Sequence, residues 1–240
     1  MQTPSLSLVS LNVEASRHLD RVIPFLNGRR PDVACLQEVM ATDLPRLTRE
    51  TGMQAVFASM RYLNVQDGPE TPQLGLAILS KESPDSWEQL PYGDFHDVRF
   101  LDVHPNDPHT HTVLLTARFG PYCVSTTHFT WTSDGEANTE QSINLERLLA
   151  LTMRNKEFVL CGDFNAPRGK EIFDALAGRL TDNVPASALT SIDGNLHRAG
   201  HLQLMVDGLF STPGYAVDKV EVVDGVSDHC AIVGTVQALG

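Results

Sequence analysis

Apolar residues along this chain gather in short runs, and those runs predict many strands and few helices. The strands fall near residues 6–13, 33–39, 53–59, 74–80, 98–104, 111–128 with a break at Gly120 and Pro121, 157–162, 203–211, 214–224 and 229–237. Helical spacing is confined to three stretches. One covers Ala15 to about Leu26. A second starts behind Asn138, where Gln141 three residues on resembles a capping box, and it brings Ile143, Leu145, Leu148, Leu149 and Met153 mostly to one side. A shorter one runs from Lys170 to Ala177 and stops at Gly178.

Chemistry enters where the strands end. The run LCGDFNA at 160–166 follows an apolar stretch, so Asp163 and Asn165 project side by side where a buried strand meets solvent. A carboxylate there takes a proton from water, while an amide, both donor and acceptor, orients that water or a substrate oxygen. Taken alone, the pair is equally an ordinary turn. The same arrangement recurs, however: Asn12 closes SLVSLNV, Glu38 closes VACLQEV, His128 sits in STTHFTW, Asp207 in LMVDGLF, and Asp228 and His229 in GVSDHCAIV. Scattered loop polars have no reason to terminate strand after strand.

Asn12, Gln37 and Glu38, Gly75 to Ser80 (GLAILS), Thr127 and His128, Gly162 to Asn165 (GDFN), Asp207, and Ser227, Asp228 and His229 stand in one order: strand-end Asn, QE, GxAILS, TH, GDFN, strand Asp, SDH. In this the chain resembles the endonuclease/exonuclease/phosphatase superfamily, whose members include deoxyribonuclease I, exonuclease III-like repair nucleases, neutral sphingomyelinases and inositol polyphosphate 5-phosphatases. The resemblance spans Asn12 to His229, nearly the whole chain. It implies an α+β, deoxyribonuclease I-like four-layer sandwich, two mixed β-sheets packed face to face with helices on the outside. It also implies roles. Asp163 activates or orients the attacking water and Asn165 helps hold the reacting phosphate. His128 donates to a non-bridging phosphate oxygen, and His229 contacts the scissile phosphate. Asp207 pairs with His229, and Asp228 lies beside the metal.

The residues make chemical sense without the family. Phosphate ester hydrolysis needs charge neutralised on the phosphoryl oxygens, a positioned water and help for the leaving oxygen. Glu38 with Asn12 offers oxygens to a hard cation, Mg2+ or Mn2+, and without one an acidic pocket repels phosphate. Two substrate-binding candidates remain open in role: Arg168 in NAPRGK is a phosphate-patch cation or a surface residue, and Trp131 stacks on a base, sugar or headgroup or simply packs. Arg99 is a second patch candidate. His109 and His111, in the polar turn NDPHTH, read as solvated loop residues.

Composition narrows the partners. With 18 Lys and Arg against 30 acids the net charge is −12, and no basic run is visible, so an extended nucleic-acid surface is not expected. The substrate is then a phosphate ester, a small molecule or a nucleic-acid fragment. No GxSxG, GxxxxGK[ST] or HExxH occurs. Cys35, Cys123, Cys161 and Cys230 are far apart and form no CxxC, which reads as free buried thiols in a reducing compartment. One domain over 1–240, no membrane segment and a cytoplasmic location are expected. Rim loops are expected at Met60 to Gln73, Pro91 to Val98 and Phe129 to Ala137. The leading functional expectation is a Mg2+- or Mn2+-dependent phosphodiesterase. Its alternatives are a phosphomonoesterase on a sugar or inositol phosphate, a DNA nuclease or repair endonuclease, and a non-catalytic binding module of the same fold.

Overall fold

The computed structural model describes residues 4–62, 73–93, 112–133 and 135–239. One six-stranded sheet has the order β11 (Tyr215–Val223), β12 (Ala231–Ala238), β1 (Leu6–Asn12), β2 (Val33–Met40), β4 (Gln73–Ser80), β3 (Gln54–Tyr62). The other has β5 (Ser86–Pro91), β6 (Val113–Phe119), β7 (Tyr122–His128), β8 (Val159–Asp163), β10 (Asp207–Ser211), β9 (Thr181–Asp182). Each sheet is antiparallel except at one inner pair, β1 with β2 and β7 with β8. The two halves thus share a topology without any sequence repeat.

Both faces of each sheet are covered, which is why the strands read as near-continuous apolar runs. Successive residues point to opposite faces. Leu8, Cys35, Ile78 and Ile232 meet Leu115, Val124, Val159, Cys161 and Leu209 between the sheets. Their neighbours Val9, Leu11, Ala34, Leu36 and Leu79 pack outward against α1 (Leu19–Arg29) and Leu47 of α2 (Leu44–Thr51). On the far side Leu114, Phe158, Leu160 and Phe210 pack against α3 (Thr139–Thr152) and α4 (Glu171–Ala177). The result is the four-layer sandwich. All four cysteines are free and buried.

Several boundaries differ from the sequence-based expectation. The first helix starts at Leu19, not Ala15, because Glu14 (φ 46°) and Ala15 (φ 57°) are left-handed and no helix passes through them. The strand expected from 203 begins at Asp207, since the Met205 and Val206 carbonyls accept from the Arg168 and Phe164 N–H groups rather than from a ladder. Of the stretch expected at 111–128, residues 113–128 form the hairpin β6–β7 turning at Gly120 and Pro121. Among the described residues α2, β5, the two-residue β9 and a 3-10 turn at Ala41–Asp43 lie outside the expected set: α2 is short with one buried residue, Leu47, and β5 is an exposed edge. The strand at 98–104, Arg99, His109, His111 and most of the first two rim loops lie outside the described residues.

Ile143 of α3 and Met153 just past its end are exposed, and the sheet-facing stripe is instead Gln141, Asn144, Leu145, Leu148, Leu149 and Thr152. Asn138 Oδ1 accepts the Gln141 N–H at 2.8 Å, but the Gln141 side chain donates to the Thr130 carbonyl at 2.7 Å, so only half a capping box forms. Asn144 Nδ2 adds a bond to Thr130 Oγ1 at 2.9 Å. These two buried amides hold the rim loop that carries Trp131.

The topology fixes where polar residues collect. Asn12 at the end of β1 pairs with Gln37 where the parallel β1–β2 pairing stops, as His128 and Asp163 pair at the ends of β7 and β8. Asp207 opens β10 opposite Asp163, and Asp228 and His229 lead into β12. Parallel strands ending there and antiparallel strands starting there deliver all of them to one edge of the sandwich.

Candidate active site at the seam of the sheets

Two amides stitch the sheets together beneath this edge. Buried Gln37 donates from Nε2 to Thr126 Oγ1 at 2.9 Å. Asn12 donates from Nδ2 to Glu38 Oε1 at 3.2 Å and to Asp163 Oδ2 at 3.1 Å, while its Oδ1 accepts the Glu14 N–H at 3.1 Å. Asn12 therefore orients two carboxylates, and its oxygen, expected on the metal, is turned to the backbone.

Local backbone strain aims several side chains. Glu38 sits at φ 56° where the β2–β4 register shifts between Leu36 and Val39, so the irregular strand re-aims its carboxylate. Asn165 is left-handed too, at φ 49°; its N–H donates to Asp163 Oδ1 at 2.8 Å and its Nδ2 to the Phe129 carbonyl at 2.9 Å. Gly162 of GDFN has φ 144°, and a Cβ there would lie 2.0 Å from the Thr127 carbonyl oxygen. Only glycine lets β8 approach β7 so closely.

Asp163 is the centre. Its buried Oδ2 has Asn12 Nδ2 at 3.1 Å, His128 Nε2 at 3.5 Å and His229 Nε2 at 3.8 Å. His229 Nδ1 bonds Asp207 Oδ2 at 2.7 Å. Burial alone would lower the His229 pKa, but the charges of Asp207 and Asp163, the bond to Asp207 and the charge of Asp228 together push it up to about 10. The ring is thus an imidazolium facing the site.

Glu14 was not among the sequence candidates. It lies two residues past Asn12, with His18 Nε2 at 2.9 Å and Arg17 at 3.0 Å, and ligand atoms of Glu14, His18 and Asp228 come within 4.8 Å of one another. An acid one turn before a histidine (ExxxH) was the available signal. Burial pushes the Asp228 carboxyl up to about 6, with the charges of Glu14 and Glu38 adding to the rise against the pull of His229. Carboxylates crowded in this way, with hard oxygen donors, fit a divalent cation.

The two substrate-binding candidates part company. Trp131 is exposed, 55%, on the rim beside Phe129, whose N–H is held by the Asp163 carbonyl at 2.8 Å. Arg168 is not presented to the site: its guanidinium donates to the Val184, Pro185 and Ala188 carbonyls, pairs with Asp182 at 2.8 Å and lies over Phe173. Arg168→Ala is expected to lower stability by about 2 kcal/mol or more, because several carbonyls lose a charged donor, with KM near wild type. Thermal unfolding and steady-state kinetics check this together.

A model described as the Endonuclease/Exonuclease/phosphatase family matches residues 9–229. No curated protein matches the chain in sequence. Among solved structures, an endonuclease/exonuclease/phosphatase from Beutenbergia cavernae is 16% identical, covering 99% of this chain and 72% of its own, with a TM-score of 0.71. The human Nocturnin catalytic domain with bound sulfate is 16% identical over 99% of this chain and 95% of its own, TM-score 0.70. A mannosyl-6-phosphatase from Bacteroides thetaiotaomicron is 14% identical over 97% and 99%, TM-score 0.73. At these identities the likeness is one of fold.

Proposed function

The chain belongs to the endonuclease/exonuclease/phosphatase family, and on that premise we propose that it is a Mg2+- or Mn2+-dependent phosphodiesterase in which water attacks phosphorus. The observation that carries this reading is the convergence on Asp163 Oδ2 of Asn12, His128 and His229, with Asp207 behind His229. Asp163 takes the proton of the attacking water, held in place by its bonds to Asn12 and Asn165. His128 and the His229 imidazolium donate to non-bridging oxygens where charge builds. Asp207 holds the His229 ring in orientation and charge. Glu38, Asp228 and Glu14 would hold the metal, with Asn12 steadying Glu38. Bound there, a divalent cation supplies charge to the phosphoryl and leaving oxygens.

A diester is favoured because, among the described residues, the ion-pair partners of Asp163 and Asp207 are histidines, and a monoanion demands less positive charge than a monoester dianion. Several cations elsewhere are engaged by acids, as in Arg29 with Glu221, Arg46 with Asp20 and Lys81 with Asp32, and with the net charge of −12 this supports a small ester or fragment rather than a long polyanion. Among the described residues no helix is long and apolar enough to cross a membrane. The likeness to the mannosyl-6-phosphatase favours a second reading, a sugar phosphate monoesterase. Hydrolysis of bis-p-nitrophenyl phosphate and p-nitrophenyl phosphate with Mg2+ or Mn2+ separates the two. Glu38→Gln is expected to bind Mn2+ at least about tenfold more weakly by calorimetry, with activity recovered only at high metal. Unchanged affinity would remove Glu38 from the metal site.

A further inference from the structure

Residues 193–201 form a loop fastened to the segment that carries Asp228 and His229. Asp193 donates its N–H to the Asp228 carbonyl at 2.9 Å, and its carboxylate accepts the Asn195 N–H at 2.9 Å and the Gly225 N–H at 2.6 Å. The Asp193 carbonyl accepts from the Leu196 and His197 N–H groups at 3.1 and 2.8 Å, and the His197 carbonyl from Gly200 at 2.9 Å. Such a loop presents its side chains in a fixed geometry.

The side chain it presents to the site is His197. Its half-buried ring stands edge-on to that of His229, with centroids 6.3 Å apart, and it lies within the field of Glu14 and Asp163. Nδ1 accepts the Ala199 N–H at 3.1 Å, so the ring proton of the neutral form is on Nε2. A neutral N–H donor suits a neutral acceptor oxygen, a hydroxyl or a ring ether, better than it suits a second phosphate. Nearby Asn195, Arg198 and His201 are exposed and polar, and the loop has no Phe, Tyr or Trp. A substituent leaving the phosphorus past His229 on this side therefore meets hydrogen-bonding groups.

We propose that His197 is a specificity residue whose Nε2–H binds an acceptor oxygen on the leaving alcohol, so that sugar and polyol esters are favoured over aryl esters. The proposal rests on the phosphoesterase reading above but not on the choice between diester and monoester. The test pairs an aryl with a polyol ester at each valence: bis-p-nitrophenyl phosphate with a dinucleoside monophosphate, and p-nitrophenyl phosphate with a hexose 6-phosphate. His197→Ala is expected to lower kcat/KM for the polyol member about tenfold, mainly through KM, and to change the aryl member less than about twofold. His197→Gln, whose amide nitrogen reaches the Nε2 position, should restore most of the loss, and His197→Asn, which reaches only Nδ1, should not. Equal losses on both ester types, no loss on either, or rescue by Asn as good as by Gln would overturn the proposal. A wild type active on aryl esters and inert to polyol esters would also overturn it while leaving the phosphoesterase reading intact. A wild type that hydrolyses none of the four with either metal would overturn that reading and this inference with it.

Discussion

Asp163→Asn is expected to lower kcat by roughly 10²- to 10⁴-fold while KM and the fold stay close to wild type. The carboxylate is the proton acceptor, and the amide that replaces it has almost the same shape. One oxygen still accepts the Asn165 N–H, which holds the GDFN turn. The amide NH2 then takes the place of Oδ2 and faces donors, Asn12 Nδ2 at 3.1 Å first among them. That opposition costs about 1–3 kcal/mol of stability, a cost that a thermal melt measures separately from kinetics. A variant within a few-fold of wild-type turnover would remove Asp163 from the role of base.

Asp207→Asn is expected to act through pH. In the native protein the His229 pKa stands at about 10, raised against burial by Asp207, Asp163 and Asp228. The asparagine removes the nearest of these charges and leaves the burial, so the His229 pKa falls. The sign follows: a raised histidine pKa stabilises the fold below the histidine's unfolded value and loses that contribution as pH rises through the folded one. In the variant both the imidazolium and its contribution disappear at lower pH. Turnover should therefore drop by roughly 10²-fold at about pH 9 and much less near about pH 6, with earlier loss of stability on the alkaline side. The kcat–pH profile and thermal melts across the same range read both effects. A uniform loss across that range would mean that Asp207 does not act through the charge of His229.

Much of this architecture was legible in the chain. The inner strands read clearly because both their faces are buried, and their boundaries came within a few residues. α2 and β5 escaped because one buries a single leucine and the other is an exposed edge. Among the candidates for the site, Asn12, Glu38, His128, Asp163, Asn165, Asp207, Asp228 and His229 are brought to one edge of the sandwich, since each stands within three residues of a strand end, although Glu38, expected to close its strand, lies inside β2 at the register shift. Arg168 is not among them. Its place just after GDFN suggested a phosphate cation, but the loop at 182–188 takes its donors, and sequence proximity carries no information about that loop.

By itself the sequence determined that this chain is built mainly of strands with few helices and that polar residues cluster near the ends of its apolar runs, because strand period and motif order are local properties written in consecutive residues; the two-sheet sandwich entered only as what the family resemblance implies. Only the tertiary structure decided which polar atoms meet. Asn12 joins Asp163 across 151 positions, its oxygen goes to Glu14 rather than outward, and His197 comes to rest against His229. Those contacts follow from how the two sheets are apposed and how the loops are tied down, and no short stretch of sequence encodes that packing.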